Sequence, residues 1–205
     1  MQTIILGGGC FWCTESVFSH VKGVTDVTSG YMGGDEVSAN YKAVCGGDTG
    51  HVEVIKVDFD ETIIPLETVL DIFFATHDPT TQDRQGNDVG RQYASVVFYT
   101  DEAQQKPTID RVIGELRDEQ GIKVVTEVHP TAQFFVAEDY HQDYYANNPT
   151  QSYCNFVIPP KLAKLKQYFS GFMIEQWPVS IPCWYYINAF KIGLYTVNAQ
   201  FFRVK

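Results

Sequence analysis

The sequence predicts an α+β fold, a two-layer α/β sandwich around a mixed β-sheet, and three observations carry the prediction. Apolar runs with strand character at residues 3–6, 24–31, 51–60 and 92–100 are interleaved with segments whose apolar residues recur at helical spacing. The two kinds mix without a strict β-α-β repeat, which disfavours an all-parallel sheet. With 205 residues, 44% of them apolar, the chain can bury a real core as one domain.

Taken in order, residues 3–6 form a short strand and Gly7-Gly8-Gly9 a turn. Phe11, Thr14-Glu15, Phe18 and Val21-Lys22 then lie at helical spacing over 11–22, stopped by Gly23. The strand at 24–31 ends at Gly33-Gly34, and a polar loop over 35–50 holds Tyr41 and Cys45. Residues 51–60 form a strand that alternates with period two in its second half. Pro65 opens a helix through Phe74 whose Leu66, Val69, Leu70, Phe73 and Phe74 make one apolar stripe. The loop over 77–91 is long, charged and glycine-bearing, a composition that marks function or mobility. A strand at 92–100 precedes a helix over 101–120 interrupted near Pro107. A strand over 124–128, the apolar run 134–136, a short helix over 138–145 broken by Asn147-Asn148-Pro149, and a last helix over 160–169 complete the domain, 1–169.

From 170 to 205 the character changes. This aromatic-rich tail, with Trp177, Trp184, Tyr185 and Phe190 among others, shows neither period. It packs on the domain, is poorly ordered, or is an interaction surface, and the sequence does not choose.

Composition narrows the function. Fifteen Lys and Arg against 25 Asp and Glu give a net charge of −10, which disfavours a nucleic-acid partner. No run of about 18 apolar residues is present, so no membrane association is expected. No basic, apolar leader opens the sequence, so the expected location is cytoplasmic. Five cysteines, at 10, 13, 45, 154 and 183, are an odd number better read as reactive or inert thiols than as a disulfide framework.

Cys10 is the first candidate for chemistry. A thiol between a glycine turn and a helix start faces unpaired N–H groups that favour a thiolate, so its pKa is expected below the usual value of about 8.5. Cys13, one helical turn on, can pair with it as a dithiol. A zinc ribbon needs a second close pair of ligands, and Cys45, Cys154 and Cys183 are isolated, so no metal is expected. His141 beside Glu138 and Asp139 reads better as part of a solvated helix than as a ligand. Glu53 shares the odd-numbered face of its strand with His51, Ile55, Val57 and Phe59. Packed inward, it would be desolvated and hold a proton near neutrality, as a general acid must; at a frayed strand end it would be an ordinary carboxylate. Tyr41 and Tyr93 can donate hydrogen bonds to a ligand oxygen, and Asp88 reads as a turn aspartate. Gly7-x-Gly9 lacks the third glycine of a dinucleotide fingerprint, and residues 46–50 lack the Lys of a phosphate loop.

Gly9-Cys10-Phe11-Trp12-Cys13-Thr14-Glu15 resembles the signature of the A-type peptide methionine sulfoxide reductases. Gly30-Tyr31-Met32-Gly33-Gly34, Gly47-Asp48-Thr49-Gly50-His51-Val52-Glu53, Arg84-Gln85-Gly86-Asn87-Asp88-Val89-Gly90, Gln92-Tyr93 and the run 137–144 resemble further blocks of that family, in order over residues 3–169. The resemblance implies a ferredoxin-like core and reduction of methionine S-sulfoxide in proteins, in peptides and possibly as the free amino acid. It implies Cys10 as nucleophile, Phe11 and Trp12 as the aromatic wall for the substrate methyl, and Glu53 as proton donor. Tyr41 and Tyr93 would hold the sulfoxide oxygen, with Asp88 positioning the site. A sulfenic acid on Cys10 would condense with a resolving thiol, Cys154 or Cys13 with Cys154 preferred, and thioredoxin would restore the dithiol. No cofactor is implied, and the protein is expected to be a monomer. The alternatives are a general C-x-x-C dithiol–disulfide oxidoreductase and a thiol-dependent metal-binding or interaction module.

Overall fold

The computed structural model describes residues 1–174. In chain order the elements are β1 (Gln2–Gly8), α1 (Phe11–Phe18), β2 (Val24–Met32), α2 (Tyr41–Gly46), β3 (Val52–Phe59) and α3 (Leu66–Thr76). A small hairpin of β4 (Arg84–Gln85) and β5 (Asp88–Val89) precedes β6 (Ser95–Tyr99), α4 (Glu102–Asp118), β7 (Glu127–Pro130), β8 (Phe135–Val136), α5 (Tyr144–Asn147) and α6 (Ser152–Tyr168). Single 3₁₀ turns lie at Arg91–Tyr93, Asp139–His141 and Ser170–Phe172.

Six strands form one sheet in the order β7-β6-β1-β3-β2-β8. It is mixed, as expected: β6 and β7 run parallel and the other neighbours antiparallel. Period-two alternation gives the sheet two apolar faces. Ile4, Leu6, Tyr31, Ile55, Val57 and Val97 face the layer built by α1, α3, α4 and α6, forming the main core. Ile5, Met32, Val52, Val54, Val96 and Phe98 form a smaller cluster on the reverse side, against Phe134. Each fully buried large apolar side chain contributes about 1.5–3 kcal/mol, so the helical side supplies most of the stability.

Several boundaries differ from the sequence expectation, each for a local reason. Helix α1 stops at Phe18 instead of 22, because the chain turns at Ser19–Gly23 and Val21 bridges Met173. The expected loop over 35–50 contains α2, started by Asn40, whose side chain accepts the Ala43 N–H at 3.1 Å. Tyr93 sits in a 3₁₀ turn before its strand. Helix α4 runs through Pro107 without interruption, since Ile109, Val112 and Leu116 anchor the turns beyond the proline. The expected strand at 124–128 moves to Glu127–Pro130, because Val125 donates to the Pro79 carbonyl outside the ladder. The helix over 138–145 is split into a 3₁₀ turn and α5 by Asp143, whose φ is 51°. The last helix starts at Ser152, eight residues early, and passes through Pro159 and Pro160. Both halves are held by fully buried residues, Cys154 and Ile158 before the prolines and Leu162 and Leu165 after them. Cys183 and the remainder of the expected tail from residue 175 lie outside the described residues.

Asp101 caps α4 by accepting the Gln104 N–H at 3.0 Å. Asp101→Ala will lower stability by about 1 kcal/mol in urea titration, with the fold retained by circular dichroism.

Candidate active site

The central strand β1 ends in the glycine turn, and α1 begins immediately behind it. Gly9 makes this turn possible: its φ is 90°, and a Cβ there would lie 2.5 Å from Gln85 Cγ. Cys10 is the N-cap residue of α1, its carbonyl accepting from Cys13 N at 3.0 Å. Cys10 as a whole is 8% exposed. Next to it, Glu53 projects from the helix-facing side of β3 and is buried, 2% exposed. Its Oε2 accepts the Phe11 N–H at 3.0 Å, one of the unpaired donors of the α1 start. Burial raises the Glu53 carboxyl to about 8 against the opposing Phe11 hydrogen bond, and the charges on Cys13 and Asp88 add to the rise. The inward packing expected from the odd-numbered face is what the strand adopts, and Glu53 is a neutral acid at pH 7.

A cavity of about 280 Å³ opens over these groups, lined by Cys10, Phe11, Trp12, Tyr41, Glu53 and Tyr93, with Asp88, Gln151 and Tyr153 at its side. Trp12 is fixed by stacking on Tyr144 at 3.8 Å and by donating its indole N–H to His141 Nδ1 at 3.0 Å. That bond requires Nδ1 to be unprotonated, and burial depresses the His141 pKa accordingly. Tyr41 is placed by its own N–H, which donates to Glu138 Oε1 at 2.9 Å. Burial raises the Tyr41 hydroxyl, with a Cys45 hydrogen bond helping, and burial with the Glu53 charge raises Tyr93. Both stay protonated donors. Asp88, on β5, accepts a hydrogen bond from the Tyr153 hydroxyl of α6.

Cys10 departs from expectation. Its pKa is raised, first because its thiol donates a hydrogen bond to Cys13, then by burial and by the charges of Cys13 and Glu53. These outweigh the hydrogen bond from the Trp12 N–H at the helix start. The complementary shift falls on Cys13, held down by that same hydrogen bond, with Lys161 and Tyr153 also favouring its thiolate. Of the two sulfurs, Cys13 is therefore the one that loses its proton first. Cys154 is fully buried in the first turn of α6, its pKa pushed up to about 12 by burial and then by the Cys13 charge. Cys45 is an exposed free thiol on α2.

The residues expected to attack, protonate or hold the substrate, Cys10, Phe11, Trp12, Tyr41, Glu53, Asp88 and Tyr93, line one cavity, whereas the two expected resolving thiols, Cys13 and Cys154, lie outside its lining. Sequence reasoning missed Tyr153, Gln151 and His141 as its neighbours. For Tyr153 the signal was adjacency to Cys154, which becomes informative only once α6 starts at Ser152. Among the described residues no helix is long and apolar enough to cross a membrane.

A family model described as Peptide methionine sulfoxide reductase matches residues 2–171. The peptide methionine sulfoxide reductase MsrA of Psychrobacter cryohalolentis is 75% identical over 175 residues, covering 85% of this chain and 100% of that protein. The protein of the same name from Acinetobacter baumannii strain AYE is 53% identical over 173 residues, 84% of this chain and 99% of the relative. Among solved structures, reduced Mxr1 from Saccharomyces cerevisiae superposes with a TM-score of 0.67 at 36% identity, covering 73% of this chain and 86% of that one. Methionine sulfoxide reductase A of Corynebacterium diphtheriae gives 0.65 at 30% identity, covering 73% and 76%.

Proposed function

The chain belongs to the peptide methionine sulfoxide reductase family and is an oxidoreductase acting on methionine sulfoxide, and we propose that it reduces the S epimer through Cys10, with Glu53 as the acid. The single observation that carries this mechanism is the buried, protonated Glu53 beside the Cys10 thiol in one aromatic-walled cavity. The substrate methyl packs on Phe11 and Trp12, and the sulfoxide oxygen receives hydrogen bonds from Tyr41, Tyr93 and Glu53. Oxygen on sulfur is a poor leaving group until protonated, so Glu53 gives it a proton as the Cys10 sulfur attacks the substrate sulfur. The Cys10 proton passes along the existing hydrogen bond to the Cys13 thiolate. The hydroxyl then passes from the substrate sulfur to the Cys10 sulfur as the transient S–S bond breaks and methionine leaves: R–S(O)–CH₃ and Cys–SH become R–S–CH₃ and Cys–SOH.

Cys13 then condenses with the sulfenic acid, releasing water and forming a Cys10–Cys13 disulfide. The shared hydrogen bond supports Cys13 in this step, whereas Cys154 is enclosed in α6, so the preference drawn from the sequence is reversed. A dithiol protein of the thioredoxin type restores the pair. The order β6-β1-β3-β2, spanned by α1 and α3, supports reading the core as ferredoxin-like. The enzyme works as a cytoplasmic monomer on oxidised proteins and peptides, and four free thiols among the described residues suit a reducing compartment.

With dithiothreitol, the S epimer will be consumed and the R epimer left; equal use of both would overturn the assignment. Driven by thioredoxin, Cys13→Ser will form about one methionine per chain, more slowly, and stall, while Cys154→Ser keeps cycling. The opposite result would return the resolving role to Cys154.

A further inference from the structure

Helix α6 brings a charged group to the thiol pair from behind. Tyr153, Val157, Lys161 and Lys164 follow one another along one face of that helix. This face, with Cys10, Cys13 and Asp88, lines a second cavity of about 380 Å³ that meets the substrate cavity at Cys10, Asp88 and Tyr153. Lys161 is partly buried there, its ammonium anchored on the Thr76 carbonyl at the end of α3. The next lysine, Lys164, donates instead to the Ala75 carbonyl at 3.2 Å.

We propose that Lys161 is a positioning residue that keeps the negative charge of the Cys10–Cys13 pair on Cys13. Geometry makes the partnership: Lys161 and Cys13 line the same cavity. Across it Lys161 is the cation that favours the Cys13 thiolate, and the Cys13 charge in turn is the first of those that oppose the burial lowering the Lys161 pKa. Lys164 shows no such reciprocity: burial lowers it to about 8, the Lys161 charge lowers it further, and Asp78 alone opposes them. Lys161 therefore keeps Cys13 deprotonated, the form that can take up the Cys10 proton, and makes it the better leaving sulfur. A thiolate reductant attacks Cys10: RS⁻ and Cys10–S–S–Cys13 give RS–S–Cys10 and Cys13–S⁻. The second thiol of a dithiol protein then expels Cys10. The leaving-group half of this proposal rests on Cys13 being the resolving thiol, and the charge-placing half does not.

The test is a titration of thiolate ultraviolet absorbance between about pH 5 and about pH 10, on the Cys45→Ser, Cys154→Ser, Cys183→Ser background. Only the pair then contributes thiolate. The other groups facing it are Glu53 from β3, Asp88 from β5, His77 and Asp78 beyond α3, and Tyr153 with Lys164 from α6. None is a thiol; His77 is neutral, burial having lowered it to about 3. Lys161→Met will raise the first midpoint by about one unit, a tenfold loss of thiolate at neutral pH. Lys161→Arg will restore it, and Lys164→Met will leave it in place. An unshifted midpoint in Lys161→Met, or an equal shift in Lys164→Met, overturns the proposal. If Lys161→Met does not fold by circular dichroism, Lys161→Gln is read by the same criterion. Peptide mapping after one sulfoxide turnover of the unmutated chain separates the two readings: a Cys10–Cys154 bond would refute Cys13 as resolver and with it the leaving-group half, while the titration decides the charge placement.

Discussion

Glu53→Gln will lower the rate of sulfoxide reduction by about 10²–10⁴-fold and abolish the alkaline limb of its pH profile. The amide keeps the size of the side chain and an oxygen to accept the Phe11 N–H, so the cavity survives while the transferable proton is lost. In the unmutated enzyme the acid is protonated well below pH 8 and titrates with a midpoint of about 8, so activity falls as pH rises through that value. The same shift has a sign in stability. Between the ordinary value of 4.5 and about 8 the folded state binds more protons at Glu53 than the unfolded state does. Its contribution is therefore present below pH 4.5 and is lost as pH rises through 8. Chemical denaturation above pH 8 will find Glu53→Gln more stable than the parent although nearly inactive, the reverse of what a structural role for the carboxylate would give.

Cys10→Ser will remove sulfoxide reduction by at least about a thousandfold. A hydroxyl is a far weaker nucleophile at neutral pH, and its oxygen cannot accept the sulfoxide oxygen as a sulfenic acid does. Binding will change little, because Phe11, Trp12, Tyr41 and Tyr93 form most of the remaining wall. Titration calorimetry with methionine S-sulfoxide checks binding separately from turnover. A variant that loses binding and rate together would assign Cys10 to the architecture instead of the reaction.

Much of this site was legible in the sequence where local pattern decides geometry. Period two on β3 put Glu53 on the face of Ile55, Val57 and Phe59, and the structure buries all four in that layer or beside it. The glycine turn put Cys10 at the start of a helix. Long-range electrostatics could not be read this way. The Cys10 pKa is set by a neighbouring thiol, by burial and by a carboxylate 43 positions away in the chain, and these reverse the helix-start effect. Asp88 meets Tyr153 across 65 positions, a contact that no motif encodes. Proline misled at α4 and α6, where burial on both sides of Pro107 and of Pro159-Pro160 carries the helix through. Such tertiary anchoring offsets the local cost of about 3 kcal/mol.

One turnover in the absence of reductant tests the central claim most directly. A Cys13→Ser, Cys154→Ser double variant is mixed with excess methionine S-sulfoxide, the methionine is counted, and the sulfenic acid is trapped with dimedone and located by peptide mass. The mechanism predicts about one methionine per chain and the adduct on Cys10 alone, with both absent in Glu53→Gln on the same time scale. Methionine formed with the adduct on Cys45, or formed equally fast without the Glu53 carboxyl, would contradict it.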